Sequence, residues 1–267
     1  MEGFTALVLA GSRGGVDPVA DYADVPHKAL IELGGRTLIA RVIGALDAAG
    51  ATRIAVSTND PFVIAEIGKI SLSIPVLRIE AATSPSASVM AGAQNLGTPL
   101  LVTTADHALL QPEWVRDFLS DAPDGCDIAA LLAPEAVVAA AAPHTCRTYL
   151  RFTDGAYSGC NLFLLKTPAA LNAIVFWRRV EALRKQPWKI ALMLGPVMLA
   201  LYVFKRLSLD AMMIALGQQA GARAVAVRSS YGLAAVDVDK PSDLDLVRSL
   251  VDDAQIPAQP SHRPATV

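Results

Sequence analysis

The residues best suited to chemistry stand near the start of the chain, in a glycine-rich stretch that follows an apolar run at 5–10. A glycine has no Cβ, so a glycine-rich loop can turn its backbone N–H groups towards an anion. Arg13 and Lys28 add the fixed positive charge that polyphosphate chemistry needs. The spacing matches neither the P-loop nor the dinucleotide-binding fingerprint, so an ordinary strand-to-loop turn is the alternative interpretation. The glycines are Gly11, Gly14 and Gly15.

Two further polar groups follow predicted strands. A serine cluster comes after the apolar run 76–79, and Asp106 comes after the run 100–104. Apolar runs alternate with helical patterns here, which is typical of a doubly wound, mostly parallel sheet. Ligands bind such a sheet beyond the carboxyl ends of its strands, so the loop, the serines and Asp106 are expected at one edge. The cluster consists of Ser84, Ser86 and Ser88.

The other elements follow from apolar spacing and from helix start and stop signals. Before Asp106, the sequence predicts strands at 5–10, 53–57, 76–79 and 100–104, a helix at 37–49 capped by Thr37, helices from Asp60-Pro61 and through 91–96, and a long connection at 16–25. After Asp106, it predicts a helix at 113–120, a strand at 127–132, an alanine-rich helix or loop at 135–142, a strand pair at 149–152 and 159–165, a strand at 222–227 and a terminal helix capped by Ser242.

Composition narrows the class of protein. The 267 residues suffice for one large α/β domain, predicted over 1–253 with a disordered tail at 254–267. A formal net charge of -2 offers no basic excess for binding nucleic acid. Three cysteines without CxxC spacing, and a start that lacks the pattern of a signal peptide, lead us to expect a cytoplasmic protein. The four scattered histidines form no zinc pattern.

Five short motifs resemble, in their order along the chain, those of nucleotidyltransferases. The resemblance is narrower to the branch that contains molybdenum cofactor guanylyltransferases and related cytidylyl- and guanylyltransferases, and it covers about 4–170 and 222–250. Ser12 stands where many members have a second glycine. The motifs are Leu9-Ala10-Gly11-Ser12-Arg13, Lys28-Ala29-Leu30, Gly34-Gly35-Arg36-Thr37-Leu38, Ala105-Asp106-His107 and Val238-Asp239-Lys240-Pro241-Ser242-Asp243-Leu244.

This resemblance implies a Rossmann-like three-layer sandwich with a mixed, mostly parallel central sheet, of the nucleotide-diphospho-sugar transferase type. It also implies a reaction in which the oxygen of a sugar-phosphate, alcohol-phosphate or phosphonate attacks the α-phosphorus of CTP or GTP and pyrophosphate leaves. Such catalysis is mostly positioning and electrostatics. The alternatives are a non-catalytic nucleotide-binding protein and a glycosyltransferase of the same fold. The latter would usually carry Asp-X-Asp where this chain has Asp106-His107-Ala108.

The resemblance also implies a role for individual residues. The loop backbone and Arg13 would hold the β- and γ-phosphates, and Lys28 would contact the α-phosphate and stabilise the transition state. Asp106 and Asp239 would hold Mg²⁺, a hard cation that also takes phosphate oxygens and water. The serine cluster would lie at the base and ribose. The expected nucleotide-binding residues are Leu9, Ala10, Gly11, Ser12, Gly14, Gly15, Ser84, Ser86 and Ser88.

Each of these side chains has a structural alternative. Asp106 could cap the helix that follows it, and Asp239 could be a turn residue, with Asp237 as the second metal ligand in its place. Ser86 is the expected N-cap of its helix, which is compatible with ligand contact. His107 either orients substrate or packs in the core. Order along the chain puts four residues on the acceptor side: Arg147, Tyr157, Asn161 and Lys166.

Residues 176–221 do not match the family pattern and are predicted to form a helical, hydrophobic insertion. An uncharged run at 190–204 has basic flanks, but its 15 residues fall short of the ~20 that span a bilayer. Gly195-Pro196 should split its helix. One interpretation is a helical hairpin packed on the core or on a second subunit of a homodimer. The other is an element in the membrane interface, which would place the protein peripherally on the inner face of a membrane.

Overall fold

The computed structural model describes residues 3–252, except for 13, 16, 73, 144, 146 and 184–194. The strands are β1 (Phe4–Leu9), β2 (Glu32–Leu33), β3 (Arg36–Thr37), β4 (Ala51–Ser57), β5 (Val76–Ile79), β6 (Leu100–Thr104), β7 (Ile128–Pro134), β8 (Leu150–Phe152), β9 (Gly155–Leu165) and β10 (Ala224–Arg228). The helices are α1 (Pro18–Tyr22), α2 (Leu38–Ala48), α3 (Pro61–Ile67), α4 (Pro85–Leu96), α5 (Pro112–Asp121), α6 (Glu135–Ala141), α7 (Ala170–Ala182), α8 (Pro196–Val203), α9 (Leu209–Ala220) and α10 (Pro241–Asp252). Short 3₁₀ helices lie at Lys28–Leu30 and Gly232–Ala235.

The main sheet is mixed and mostly parallel, which confirms the predicted fold class. Its strand order is β10-β7-β9-β6-β1-β4-β5, with β8 paired to β9. β1 lies parallel to both β4 and β6, whereas β9 is antiparallel to β6 and β7. The carboxyl ends of β6, β1, β4 and β5 therefore meet at one edge, where the predicted site residues follow them.

Helices cover both faces of the sheet because the central strands are apolar on both sides. On one face, Val8 packs with Val42 of α2 and Phe118 of α5. On the other face, Leu7 packs with Val89 and Ala93 of α4. A Cβ on Gly92 would overlap the Leu7 side chain, so glycine lets α4 approach β1 closely. The result is the predicted three-layer sandwich.

Two helices start at the capping residues that the sequence predicted, whereas two other helix starts differ from the prediction. Thr37 and Asp60 accept backbone N–H bonds at the starts of α2 and α3, as predicted. The connection predicted at 16–25 contains the short helix α1, because Asp17 caps it and Pro18 fixes its first turn. Ser242 lies inside α10 and does not cap it, since that helix already begins at Pro241.

Within the segment predicted as a helical insertion, 176–221, the described residues form helices at 176–182, 196–203 and 209–220, and the first of these helices starts upstream of residue 176. α7 begins earlier, at Ala170, which is buried beside α4. β9 runs antiparallel to the central strands, so the helix that returns from it heads for the edge where those strands end. α9 packs on β10 and α7, and so belongs to the layer of helices. Among the described residues no helix is both long and apolar enough to cross a membrane.

Candidate active site

An open cleft of about 1280 Å³ lies at the carboxyl edge of the sheet. It is lined by the segments that follow β1, β4, β5 and β6, as the strand topology predicts. From the sequence-predicted set, the cleft brings together Leu9, Ala10, Gly11, Ser12, Gly14, Gly15, Lys28, Ser84, Ser88, Asp106 and Asp239. Ser86 does not line it, and Arg13 lies outside the residues that the structure describes.

Lys28 and Asp106 form an ion pair in this cleft, with Nζ 2.6 Å from Oδ2. Lys28 opens a 3₁₀ turn, which His27 caps by accepting the Ala29 N–H at Nδ1. Burial alone would lower the pKa of Lys28, but the Asp106 carboxylate raises it above its usual value. Burial alone would raise the pKa of Asp106, but the Lys28 ammonium, together with smaller effects of Thr104 and His107, lowers it below its usual value. Both groups are therefore charged at neutral pH.

The other oxygen of Asp106, Oδ1, is buried and has no hydrogen-bond partner among the described residues. Such an oxygen suits a cation or a hydrogen-bond donor, and the Thr104 hydroxyl, which also has no described partner, is the protein's own candidate donor. The N-cap alternative for Asp106 is wrong, because Gln111 occupies the cap position of α5.

Asp239 is the second carboxylate at this point of the cleft, with Oδ1 3.5 Å from Lys28 Nζ. Asp237 is engaged elsewhere, since it accepts hydrogen bonds from Arg147 and from Asn161 Nδ2. Burial raises the pKa of Asp237, although the Arg147 guanidinium opposes that rise. The two carboxylates thus serve different partners, and Asp239 is the one that shares Lys28 with Asp106.

Several residues of the glycine-rich loop line the cleft and have backbone amides without an acceptor among the described residues. The amides of Gly11, Ser12, Gly14 and Gly15 donate to no described residue. Gly14 and Gly15 have φ of 73° and 92°, the left-handed region that residues with a Cβ seldom adopt. Unpaired amides in such a turn make a concave anion site.

The serine cluster forms a chain of hydrogen bonds at the start of α4. Ser84, and not Ser86 as predicted, is the N-cap, because its Oγ accepts the Ala87 N–H. Ser86 Oγ lies 3.0 Å from Ser84 Oγ and donates to Glu181 Oε2 at 2.5 Å. Ser88 Oγ accepts the N–H of Ala82 and so fixes the turn that follows β5.

Comparison with known families identifies the fold and its class of chemistry. The model of the MobA-like NTP transferase domain matches residues 6–233. The chain belongs to this family. Family membership supports nucleotidyl transfer from a nucleoside triphosphate as its general activity. Among curated proteins, none matches the sequence.

Solved structures resemble this NTP transferase over nearly its whole length. A hypothetical transferase from Thermus thermophilus is 30% identical with a TM-score of 0.77, covering 91% of this chain and 99% of its own. 2-C-methyl-D-erythritol 4-phosphate cytidylyltransferase, also from Thermus thermophilus, is 16% identical with a TM-score of 0.55, covering 94% and 99%. CMP:2-keto-3-deoxy-manno-octonic acid synthetase, complexed with CTP, is 17% identical with a TM-score of 0.54, covering 95% and 100%. At these lower identities the likeness shows the fold.

Helix α7 supplies cleft residues that sequence reasoning missed. Arg178, Glu181 and Ala182 line the cleft beside the serine cluster. Glu181 is fixed there by Ser86 Oγ, across 95 positions of sequence. No local signal marks these residues, because their position depends on the direction of β9. Helix α7 therefore forms one wall of the NTP transferase cleft, although most of this helix was predicted to belong to an insertion.

Five other predicted residues do not line the cleft. His107 is buried, with Nδ1 3.3 Å from Thr103 Oγ1, and burial lowers its pKa to about 4, so that it packs as a neutral ring. Lys166 Nζ binds the carbonyls of Ala122 and Pro123 at the opposite edge of the sheet. The acceptor-side prediction for Lys166 is wrong because β9 ends at that opposite edge. The Tyr157 hydroxyl donates to the Asp154 carbonyl. Arg147 and Asn161 reach only Asp237.

Asp106 and Asp239, which share Lys28, are the cleft carboxylates that were predicted to hold a metal ion. The described part of the chain contains no group of three or more His, Cys, Asp or Glu suited to a metal. Mg²⁺ commonly binds through one or two carboxylates and completes its shell with phosphate oxygens and water. The pair, with the unpartnered Oδ1 of Asp106, fits a cation that arrives together with a triphosphate.

Proposed function

We propose that this protein is a Mg²⁺-dependent nucleotidyltransferase that transfers a nucleoside monophosphate from CTP or GTP to a phosphorylated or phosphonate small molecule. The observation that carries the proposal is the Lys28–Asp106–Asp239 arrangement, in which a buried oxygen of Asp106 has no described partner. It stands in a cleft whose glycine-rich wall has backbone amides that donate to no described residue. Together these groups suit a triphosphate and its counter-ion.

The reaction forms one P–O bond and breaks another. An acceptor phosphate oxygen attacks the α-phosphorus, and the bond from that phosphorus to the bridging oxygen breaks, so that pyrophosphate leaves with the electron pair. Negative charge grows on the leaving group as it departs. The amides of Gly11, Ser12, Gly14 and Gly15 are fixed donors that stabilise such charge without reorganising.

Lys28 is the catalytic cation of the chain in this proposal. Its ammonium lies on Asp106 at 2.6 Å and is therefore held at the junction of the phosphate loop and the carboxylates. From that position it contacts the α-phosphate and offsets charge on the pentacoordinate phosphorus. Mg²⁺, held by Asp106 and Asp239, would supply charge neutralisation and orientation of the triphosphate.

Strand spacing supports a position for the base end of the nucleotide at the serine cluster. Asp106 follows β6 and the serine cluster follows β5, three positions apart in the order β6-β1-β4-β5. Adjacent strands lie ~4.8 Å apart, so the two points are separated by about 14 Å, which suits an extended nucleotide. The base then meets Ser84 and the α7 residues Arg178 and Glu181. A carboxylate is an acceptor only, so Glu181 favours a base edge that donates.

The acceptor side is supported by the Arg147–Asp237 pair. Val238 N–H donates to the Asp106 carbonyl at 3.2 Å, which keeps Asp237 close to the carboxylate site. Arg147 Nε is buried and has no described partner. We assign Arg147 to the acceptor phosphate, since guanidinium is suited to phosphate oxygens.

A reducing, cytoplasmic setting fits the described thiols. Cys126 and Cys160 are both free and buried. Burial raises the pKa of Cys160 to about 12, so that this thiol stays protonated. Neither cysteine takes part in the proposed reaction.

The test is release of pyrophosphate from a panel of nucleoside triphosphates and phosphorylated acceptors, with and without Mg²⁺. Release should require both substrates and Mg²⁺, and Asp106→Asn should lower the rate on the order of 10²-fold or more. Asp124→Asn is the matched control, because that carboxylate also pairs with a lysine, Lys166, but lies away from the cleft. Transfer of sugar from a nucleotide-sugar, or nucleotide binding without turnover, would refute the proposal.

A further inference from the structure

Positive charge is concentrated in one stretch of this otherwise acidic chain. Residues 176–206 contain seven Lys or Arg and one Glu, a local net charge of +6. The whole chain has a net charge of -2, so the remainder carries -8. Among the described basic residues of this stretch that do not line the cleft, Arg179, Lys205 and Arg206 form no ion pair with a described residue. This charge is therefore available to an external anionic surface.

The same stretch exposes large apolar side chains at the end of helix α8. Phe204 is 74% exposed and Val203 64%, and Leu199 and Tyr202 are also exposed. Lys205 and Arg206 follow at once and are exposed as well. Single exposed apolar residues are common, but this helix carries several beside a basic pair. We call Leu199, Tyr202, Val203, Phe204, Lys205 and Arg206 the α8 surface.

The α8 surface is held firmly on the body of the protein. The Tyr202 ring packs edge-on against Phe152 in the β8–β9 hairpin, with ring centroids 6.1 Å apart. Beyond the basic pair, the Leu207 carbonyl accepts the Thr153 N–H, and the Leu209 N–H donates to Asp154 Oδ1. The hairpin lies beyond the carboxyl edge of β6, since β6 ends opposite Leu162 of β9. The surface therefore lies towards the same edge as the cleft.

We propose that the α8 surface docks on an anionic lipid bilayer. Val203 and Phe204 would enter the interface, and Lys205 and Arg206 would meet anionic headgroups, each of which is favourable at a bilayer surface. α8 has 8 residues and so measures about 12 Å, too short to span a bilayer but long enough to lie in its surface. Tyr202 is an aromatic of the kind enriched at that depth. The net charge of +6 on residues 176–206, in a chain whose remainder carries -8, favours a negatively charged partner with an extended surface, such as a membrane.

Co-flotation with vesicles tests this docking without reference to catalysis. Vesicles of equal parts phosphatidylcholine and phosphatidylglycerol should carry the full-length protein upward, and vesicles of phosphatidylcholine alone should not. Val203→Asp with Phe204→Asp should lower the bound fraction by roughly tenfold or more, and so should Lys205→Glu with Arg206→Glu. All four side chains are exposed, so the variants should keep their melting temperature.

Phe62→Asp is the matched control, because Phe62 is a similarly exposed aromatic on α3, away from the basic stretch. It should float as the unchanged protein does. Absence of flotation, equal flotation on neutral vesicles, or flotation that survives both double variants would overturn the proposal. A concentration-dependent dimer that Phe204→Asp dissolves, with no flotation, would instead assign the surface to a second copy. Pyrophosphate release is a separate readout, so failure of docking and failure of the proposed reaction are distinguishable.

Discussion

Replacing Lys28 by methionine should strengthen the binding of Mg²⁺ to the protein while abolishing nucleotidyl transfer. In the structure, the Lys28 ammonium occupies Oδ2 of Asp106 at 2.6 Å. A cation that binds Asp106 must therefore compete with a charge already in place. Lys28→Met keeps the length and the apolar stem of the side chain but removes that competitor.

The expected gain in Mg²⁺ affinity follows from the strength of the Lys28–Asp106 ion pair. A hydrogen bond between charged groups contributes about 1.5–3 kcal/mol when well shielded. Lys28 is 21% and Asp106 14% exposed, so part of that is lost to screening. With about 1–2 kcal/mol left for the ion pair, Mg²⁺ should bind Lys28→Met roughly 5- to 30-fold more tightly than it binds the unchanged protein.

Titration calorimetry of the nucleotide-free protein with Mg²⁺ measures this, and pyrophosphate release measures the loss of transfer. Lys69→Met is the control, since Lys69 pairs with Glu66 at the surface and should leave both quantities unchanged. Unchanged or weaker Mg²⁺ binding in Lys28→Met would refute the view that lysine and metal share Asp106. Full transfer in the variant would remove Lys28 from the mechanism.

Three further predictions concern other parts of the cleft. Asp239→Asn should lower the rate of transfer on the order of 10²-fold with little change in melting temperature. Asp237→Asn should instead lower the free energy of unfolding by about 3 kcal/mol, because it leaves a buried guanidinium unpaired. Transfer rates and thermal melts are measured for both variants, and equal effects would contradict the different roles assigned to the two carboxylates. Gly15→Ala, at φ of 92°, should weaken nucleotide binding in a thermal-shift assay, whereas Gly159→Ala, with open space and no positive φ, should not. Glu181→Gln should change the preference among nucleoside triphosphates in competition assays, and an unchanged preference would place the base elsewhere.

Much of the fold could be predicted because its signals are local. The strands 76–79 and 100–104 have the predicted bounds, since short apolar runs between turn signals leave little freedom. Thr37 and Asp60 cap their helices as expected. The ion pair between Lys28 and Asp106 spans 78 positions of sequence and was not predicted; strand topology predicted only that the glycine-rich loop and Asp106 lie at the same edge of the sheet.

The errors arise where position depends on the direction of a distant strand. Lys166 follows β9, and the antiparallel course of that strand places it at the wrong edge for a site. The same reversal carries α7 to the cleft and makes Glu181 a site residue that no local pattern marks. Asp237 and Asp239 look equivalent in sequence because their partners come from distant segments: Arg147 and Asn161 bind Asp237, and Lys28 lies beside Asp239.

The fate of the phosphates tests the central claim most directly. With CTP or GTP radiolabelled at the α-phosphate, the label should appear in the acceptor product, and label at the γ-phosphate should appear in pyrophosphate. Both rates should fall on the order of 10²-fold or more in Asp106→Asn. Release of inorganic phosphate with a nucleoside diphosphate, or label transfer that continues unchanged in Asp106→Asn, would contradict nucleotidyl transfer at this site.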